Sequence, residues 1–237
     1  MGVWRRVVLV DGMGNEDRES AAYWVQAPRL CGDIRQHRRV STLVGSLSDA
    51  DLPLVDAFAG HLTDTESGFR WEPALKRRDH DGPPDEGRLS WMGADLREVG
   101  VHLDYVEQWT RVAQVGPGSF GLSLQDPDRG SLAYVLKIGV YLFYAYVSGQ
   151  SERQRAEIHS EFSLFEMLPD GLRLVLSTAA PEQAICPYVE FADRERRKVW
   201  LSRGPPGDGR DRELWFVRAV EDCGPREPVD AVSDRTP

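Results

Sequence analysis

The segment from Glu98 to Arg111 holds the densest set of side chains suited to chemistry, with His102, Asp104, Tyr105, Glu107 and Trp109 close together. Read as an extended strand over Val101–Val112, alternation puts His102 and Asp104 on one face and Tyr105, Glu107 and Trp109 on the other. An imidazole beside a carboxylate is a natural general base, so His102 and Asp104 form the candidate catalytic pair if the chain is an enzyme. His61, after Phe58-Ala59-Gly60, adds a second imidazole at a position from which it can reach a barrel mouth. The histidines and Glu107 lack a diagnostic metal-ligand spacing, so no metal site is expected. No cofactor is evident either; haem on a single histidine in an apolar barrel is the alternative weighed.

Tryptophan is the second clue. Seven occur in 237 residues, and Trp4, Trp24, Trp71, Trp91 and Trp109 fall in the first half. Indoles either fill a wide interior or wall a pocket for a small molecule, which such sites line with aromatic and apolar groups plus a few polar anchors. The expected ligand contacts are these five tryptophans with His61, Tyr105 and Glu107. Nucleophiles are poorly supported. No serine sits in a G-x-S-x-G elbow, and Cys31, Cys186 and Cys223 form no C-x-x-C pair. Cys31 reads as a small buried filler.

The elements that must position these residues read as strands. Trp4–Val10 and Ser20–Ala27 flank a turn to make an opening hairpin. Phe69–Arg77, Gly87–Met92, Leu96–Gly100 and Val101–Val112 follow, separated by Gly82-Pro83-Pro84-Asp85 and Gly93-Ala94-Asp95. One short helix is expected over Ala50–Phe58, with Leu52, Leu54, Val55 and Phe58 at helical spacing. Gln114–Gly118 reads as a linker. Beyond it, Phe120–Leu124, Leu132–Ile138, Val140–Val147, Glu157–Met167, Leu172–Thr178, Lys198–Leu201 and Glu213–Val220 are strand-like. Val140–Val147 is apolar on both faces, as in a strand packed on two sides.

So many strands with one helix exclude a doubly wound fold. The expected class is all-β, with two antiparallel barrels in tandem: residues 1–113, which hold the pocket, and 119–221, followed by a flexible tail over 222–237. A single large sandwich is the alternative.

The net charge is −9, from 29 Lys and Arg against 38 Asp and Glu, which disfavours nucleic acid. The basic clusters Arg35–Arg39 and Arg194–Lys198 read as solvated loops. No apolar run approaches the length that spans a bilayer, and neither an export signal nor a lipid anchor is read at the N-terminus. A soluble cytoplasmic protein with reduced thiols is expected, with a homodimer left open.

Several segments, in order, resemble one family: Trp4-Arg5-Arg6, Trp24–Pro28 with Asp33-Ile34-Arg35, Phe58-Ala59-Gly60, Asp85–Leu89, and Glu98 with Gly100–Trp109. Their order and spacing are similar to the yeast Hrr-kinase-interacting (Hri-type) proteins and their uncharacterised bacterial relatives, over residues 1 to about 112. The resemblance implies a tandem of calycin-like, that is lipocalin-like, barrels, and no reaction. The leading expectation is a small, largely apolar molecule bound in the first barrel. An isomerase, cyclase or haem-dependent oxidase in the same pocket, and an interaction module without ligand, are the alternatives.

Overall fold

A computed structural model describes residues 1–37, 55–78, 81–149, 160–179, 187–193, 195–203 and 212–223. The first sheet contains β1 (Gly2–Asp11), β2 (Glu16–Asp17), β3 (Ala21–Gln26), β4 (Leu30–Gln36), β5 (Val55–Asp64), β6 (Phe69–Lys76), β7 (Glu86–Met92), β8 (Asp95–Gly100) and β9 (Tyr105–Ala113). The second contains β10 (Phe120–Gln125), β11 (Leu132–Ile138), β12 (Tyr141–Val147), β13 (Ser160–Leu168), β14 (Gly171–Ser177), β15 (Pro187–Phe191), β16 (Lys198–Arg203) and β17 (Arg212–Asp222). All pairings are antiparallel.

Strands β1 and β3–β9 follow one another around the first sheet, and β9 pairs back with β1, closing an eight-stranded barrel with β2 on its rim. Closure removes free edges. The second sheet runs β14-β13-β12-β11-β10-β17-β16-β15 and curls into a half-barrel. The fold is therefore all-β and built as tandem barrels.

Alternation explains the packing. In β3–β5 the outward residues are apolar, among them Val25, Leu30, Ile34, Val55, Ala57 and Ala59. They share one core with Tyr134, Leu136, Phe143, Ala145, Phe162 and Leu164 from the second sheet. The opposite face of β12 carries Leu142, Tyr144 and Tyr146, which join Leu122, Val135, Phe165, Val199 and Trp215 inside the half-barrel. Strand β12 is thus packed on two sides, as its unbroken apolar run requires. Gly32 lies where the barrels meet: a Cβ built there would overlap the Phe143 ring.

Four expectations are corrected. No helix occurs among the described residues; Val55–Phe58 begins β5, and residues 50–54 lie outside those described. Two cores compete for this segment, with Val55 and Ala57 turned to the inter-barrel core and Phe58 packed against the barrel's interior cluster, so period two prevails. Residues 101–104 form a bend and the last barrel strand starts at Tyr105. Strands β4 and β15 add to the expected set. Asp222 ends β17 in register with Phe120, and Cys223 is buried with its N–H on Ser119 O at 3.1 Å, so these two residues belong to the second sheet rather than to the expected tail; residues 224–237 lie outside those described. No helix among the described residues is long and apolar enough to cross a membrane.

Candidate functional site

The barrel interior divides into an aromatic plug and a charged layer. Trp4, Trp24, Trp71, Trp109, Cys31 and Leu96 form one buried cluster. Trp24 meets Trp71 edge-on at 5.5 Å and Trp109 at 6.2 Å between ring centroids. Two of the indole N–H groups are satisfied inside: Trp24 Nε1 donates to Gln26 Oε1 at 2.9 Å and Trp109 Nε1 to Glu98 Oε2 at 3.1 Å. Burial pushes the Cys31 thiol far up and keeps it unreactive. These indoles mainly fill the interior.

Moving along each strand in steps of two replaces the plug's apolar side chains with polar and charged ones: Trp4 is followed by Arg6, Cys31 by Asp33 and Arg35, Leu96 by Glu98, and Trp109 is preceded by Glu107 and Tyr105. Arg6 Nη1 donates to Glu107 Oε1 at 2.7 Å, with side-chain exposures of 5% and 1%. Glu107 stands directly across from Glu98 in the β8–β9 register. Burial, and then the Glu107 charge, push the Glu98 carboxyl well up, although the Tyr105 hydroxyl donates to its Oε1 at 2.7 Å. Glycines make the room. A Cβ on Gly87 would come within 2.8 Å of Glu98 Cγ, and one on Gly100 within 2.6 Å of the Tyr105 ring.

Asp33 is buried beside Arg35, whose Nε donates to Asp33 Oδ1 at 2.6 Å. Desolvation outweighs the guanidinium and pushes the carboxyl up to about 6. The folded protein therefore keeps this proton up to about pH 6, whereas an ordinary aspartate releases it near 3.8. With more protons bound in the folded state, stability falls as pH rises through that window. The expected loss is on the order of 2–3 kcal/mol, read as the change between pH 3.5 and 7 in the stability difference of wild type and Asp33→Asn under urea. A pH-independent difference contradicts the buried placement.

Two adjoining clefts open above this layer, at the end where the connections after β1, β6 and β8 meet. Their volumes are about 440 and 650 Å³, and both are lined by Arg35, Asp56 and Gly82-Pro83-Pro84-Asp85. The smaller reaches Phe58, Arg70 and Trp71 between β6 and the β6–β7 connection; the larger reaches Leu9, His102, Tyr105 and Glu107. At their side, Glu86 accepts from Ser67 Oγ, from Thr65 Oγ1 at 2.8 Å and from Arg70 Nη2 at 2.9 Å, and these donors, Ser67 foremost, hold its carboxyl down at about 2.

The expected residues thus fare differently. Tyr105, Glu107 and Trp71 line the clefts. His102 and Asp104 also reach the larger one, but from the bend rather than from one strand face. His102 Nε2 faces Glu86 Oε2 at 3.4 Å, and no hydrogen bond or ion pair joins it to Asp104. Trp4, Trp24 and Trp109 belong to the plug. Trp91, 61% exposed, lies near the end of β7 farthest from Glu86, where Arg111 Cζ sits 5.4 Å from the Trp4 ring and 5.8 Å from the Trp91 ring. His61 packs edge-on against Tyr134 of the second sheet at 6.3 Å, away from the clefts. Arg35 is no solvated loop residue, because it lies on β4 paired with Asp33. The sequence reading passed over Arg6, Asp33 and Glu98 as site residues; the signal available was their two-residue spacing from Trp4, Cys31 and Leu96.

No protein-family model and no curated protein matches the chain. Among solved structures the chain is similar to an uncharacterised protein of Saccharomyces cerevisiae, YLR301w, at 14% identity and a TM-score of 0.57, over 93% of this chain and 98% of that one. At that identity the likeness is one of fold, along nearly the whole of both chains.

Proposed function

We propose that the protein binds a small molecule in the mouth of its first barrel. The observation that carries this reading is the pair of adjoining clefts, of a size usual for small ligands, set directly on the buried charged layer. Trp71, Phe58, Pro83 and Pro84 supply apolar wall, while Arg35, Asp85 and Glu107 supply polar anchors. The ligand is accordingly of mixed character, with an apolar body and a polar end, rather than apolar throughout. Membership of the Hri-type family, implied by the N-terminal segments, is part of the same proposal. Saturable quenching of tryptophan fluorescence across a panel of small amphiphiles, much reduced in Trp71→Phe, is the expected result. No saturable response to any member overturns the reading.

A second reading is favoured by the facing carboxyls Glu98 and Glu107. Burial and the neighbouring Glu107 charge push the Glu98 carboxyl up, which suits Glu98 to deliver a proton as a general acid. Turnover of a bound molecule that disappears in Glu98→Gln while affinity is retained supports catalysis; unchanged turnover excludes this pair.

A further inference from the structure

We propose that the Tyr105 hydroxyl carries protons between the buried Glu98 carboxyl and a molecule held in the larger cleft. This deepens the reading of Glu98 as a general acid and rests on it. Glu98 is 3% exposed and lines neither cleft, so it cannot itself touch a molecule bound there, whereas Tyr105 lines the larger one. The Tyr105 hydroxyl oxygen lies 2.7 Å from Glu98 Oε1 and 3.5 Å from Asp85 Oδ1. Asp85 lines both clefts, so this hydroxyl stands between the barrel interior and the cleft.

The pairing of charges assigns a proton to Glu98. The layer holds three buried carboxyls, Asp33, Glu98 and Glu107, but only two guanidiniums. Arg6 pairs with Glu107 and Arg35 with Asp33. Glu98 meets two neutral groups instead, the Tyr105 hydroxyl at Oε1 and the Trp109 indole N–H at Oε2. A buried carboxyl without a cation of its own is cheaper neutral than charged. Of its two partners only the tyrosine oxygen can accept a hydrogen bond, because an indole N–H is a donor alone. The acid proton therefore lies on Oε1 and is donated to Tyr105 Oη, which frees the phenolic hydrogen for Asp85 or for a bound molecule. Burial, and then the Glu98 charge, push the Tyr105 hydroxyl far up, so it gives a proton only by taking one. As the phenolic O–H bond breaks and its proton joins a basic oxygen or nitrogen of the bound molecule, the Glu98 proton passes to Tyr105 Oη. Glu98 ends as a carboxylate, Tyr105 as a neutral phenol, and the molecule has gained one proton.

The test is rapid mixing of the full-length protein into heavy water at neutral pH, followed by infrared absorption of protonated carboxyl groups. The Glu98 band is the one that disappears in Glu98→Gln. Tyr105→Phe keeps the ring packed against Gly100 and removes only the oxygen. It is expected to slow deuteration of the Glu98 band at least tenfold. Loosening of the barrel would speed that exchange, so slowing reports a lost path and not a damaged fold. A smaller slowing, an unchanged rate or a faster one overturns the relay and leaves Glu98 an acid. Absence of any band that Glu98→Gln removes overturns the acid reading, and the relay with it.

Discussion

Arg6→Met is expected to lower stability by about 3–5 kcal/mol, because it leaves the Glu107 carboxylate buried without its cation. Arg6 and Glu107 lie 2.7 Å apart inside the barrel, and the other acid near Arg6, Asp17 at 3.4 Å, is itself partly exposed. The loss reflects a stranded charge, not the net worth of the pair. Adding Glu107→Gln should therefore return most of it, since neutral groups of similar volume replace a buried ion pair at little cost. Urea unfolding of the two single variants and the double variant measures the coupling. A loss below about 1 kcal/mol in Arg6→Met, or simple additivity, contradicts a buried ionic layer.

Gly32→Val is the second large effect, at about 3 kcal/mol or more. Its Cβ has no space except that of the Phe143 ring, which is fully buried in the core shared by the two barrels. Inserting atoms into a packed core forces the backbone or the rotamers to move. Here the movement separates two sheets, so the damage reaches both. Phe143→Ala alone removes a buried aromatic and should cost about 3–5 kcal/mol. In the double variant the valine occupies part of the vacated volume, and the combined loss should fall well short of the sum. Additive losses would show that the two residues do not share that space.

The strands were largely legible because alternation is local. Val140–Val147 announced a strand packed on two sides, and β12 has a different core on each face. Strand β4 carries a weak local signal because Gly32 and Asp33 are poor strand formers; only the facing Phe143 and Arg35 explain them. The helix over Ala50–Phe58 failed for a related reason. Its apolar spacing also fits a strand between two cores, and tertiary packing made the choice.

The site was legible in part. Tyr105 and Glu107 were found because they alternate with Trp109 on one strand. His102 and Asp104 were given a shared strand face by a continuous pattern, but the chain bends after Gly100, where Val101 N–H bonds to Glu86 O at 2.8 Å. That contact joins segments distant in sequence and has no local signature. Arg6, Asp33, Arg35 and Glu98 were read past because charged residues in strands ordinarily face water. Inside this barrel Arg35 pairs with Asp33, Arg6 pairs with Glu107, and Glu98 accepts from Tyr105 and Trp109, which is what makes their burial tolerable.

The claim that the first barrel's mouth holds a small molecule is tested most directly by native mass spectrometry of the protein as isolated, set beside its denatured mass. A single additional small mass, lost on denaturation and absent or strongly depleted in Trp71→Ala, is the predicted result. A native mass equal to the bare chain, unchanged after incubation with metabolite extract, would contradict the account.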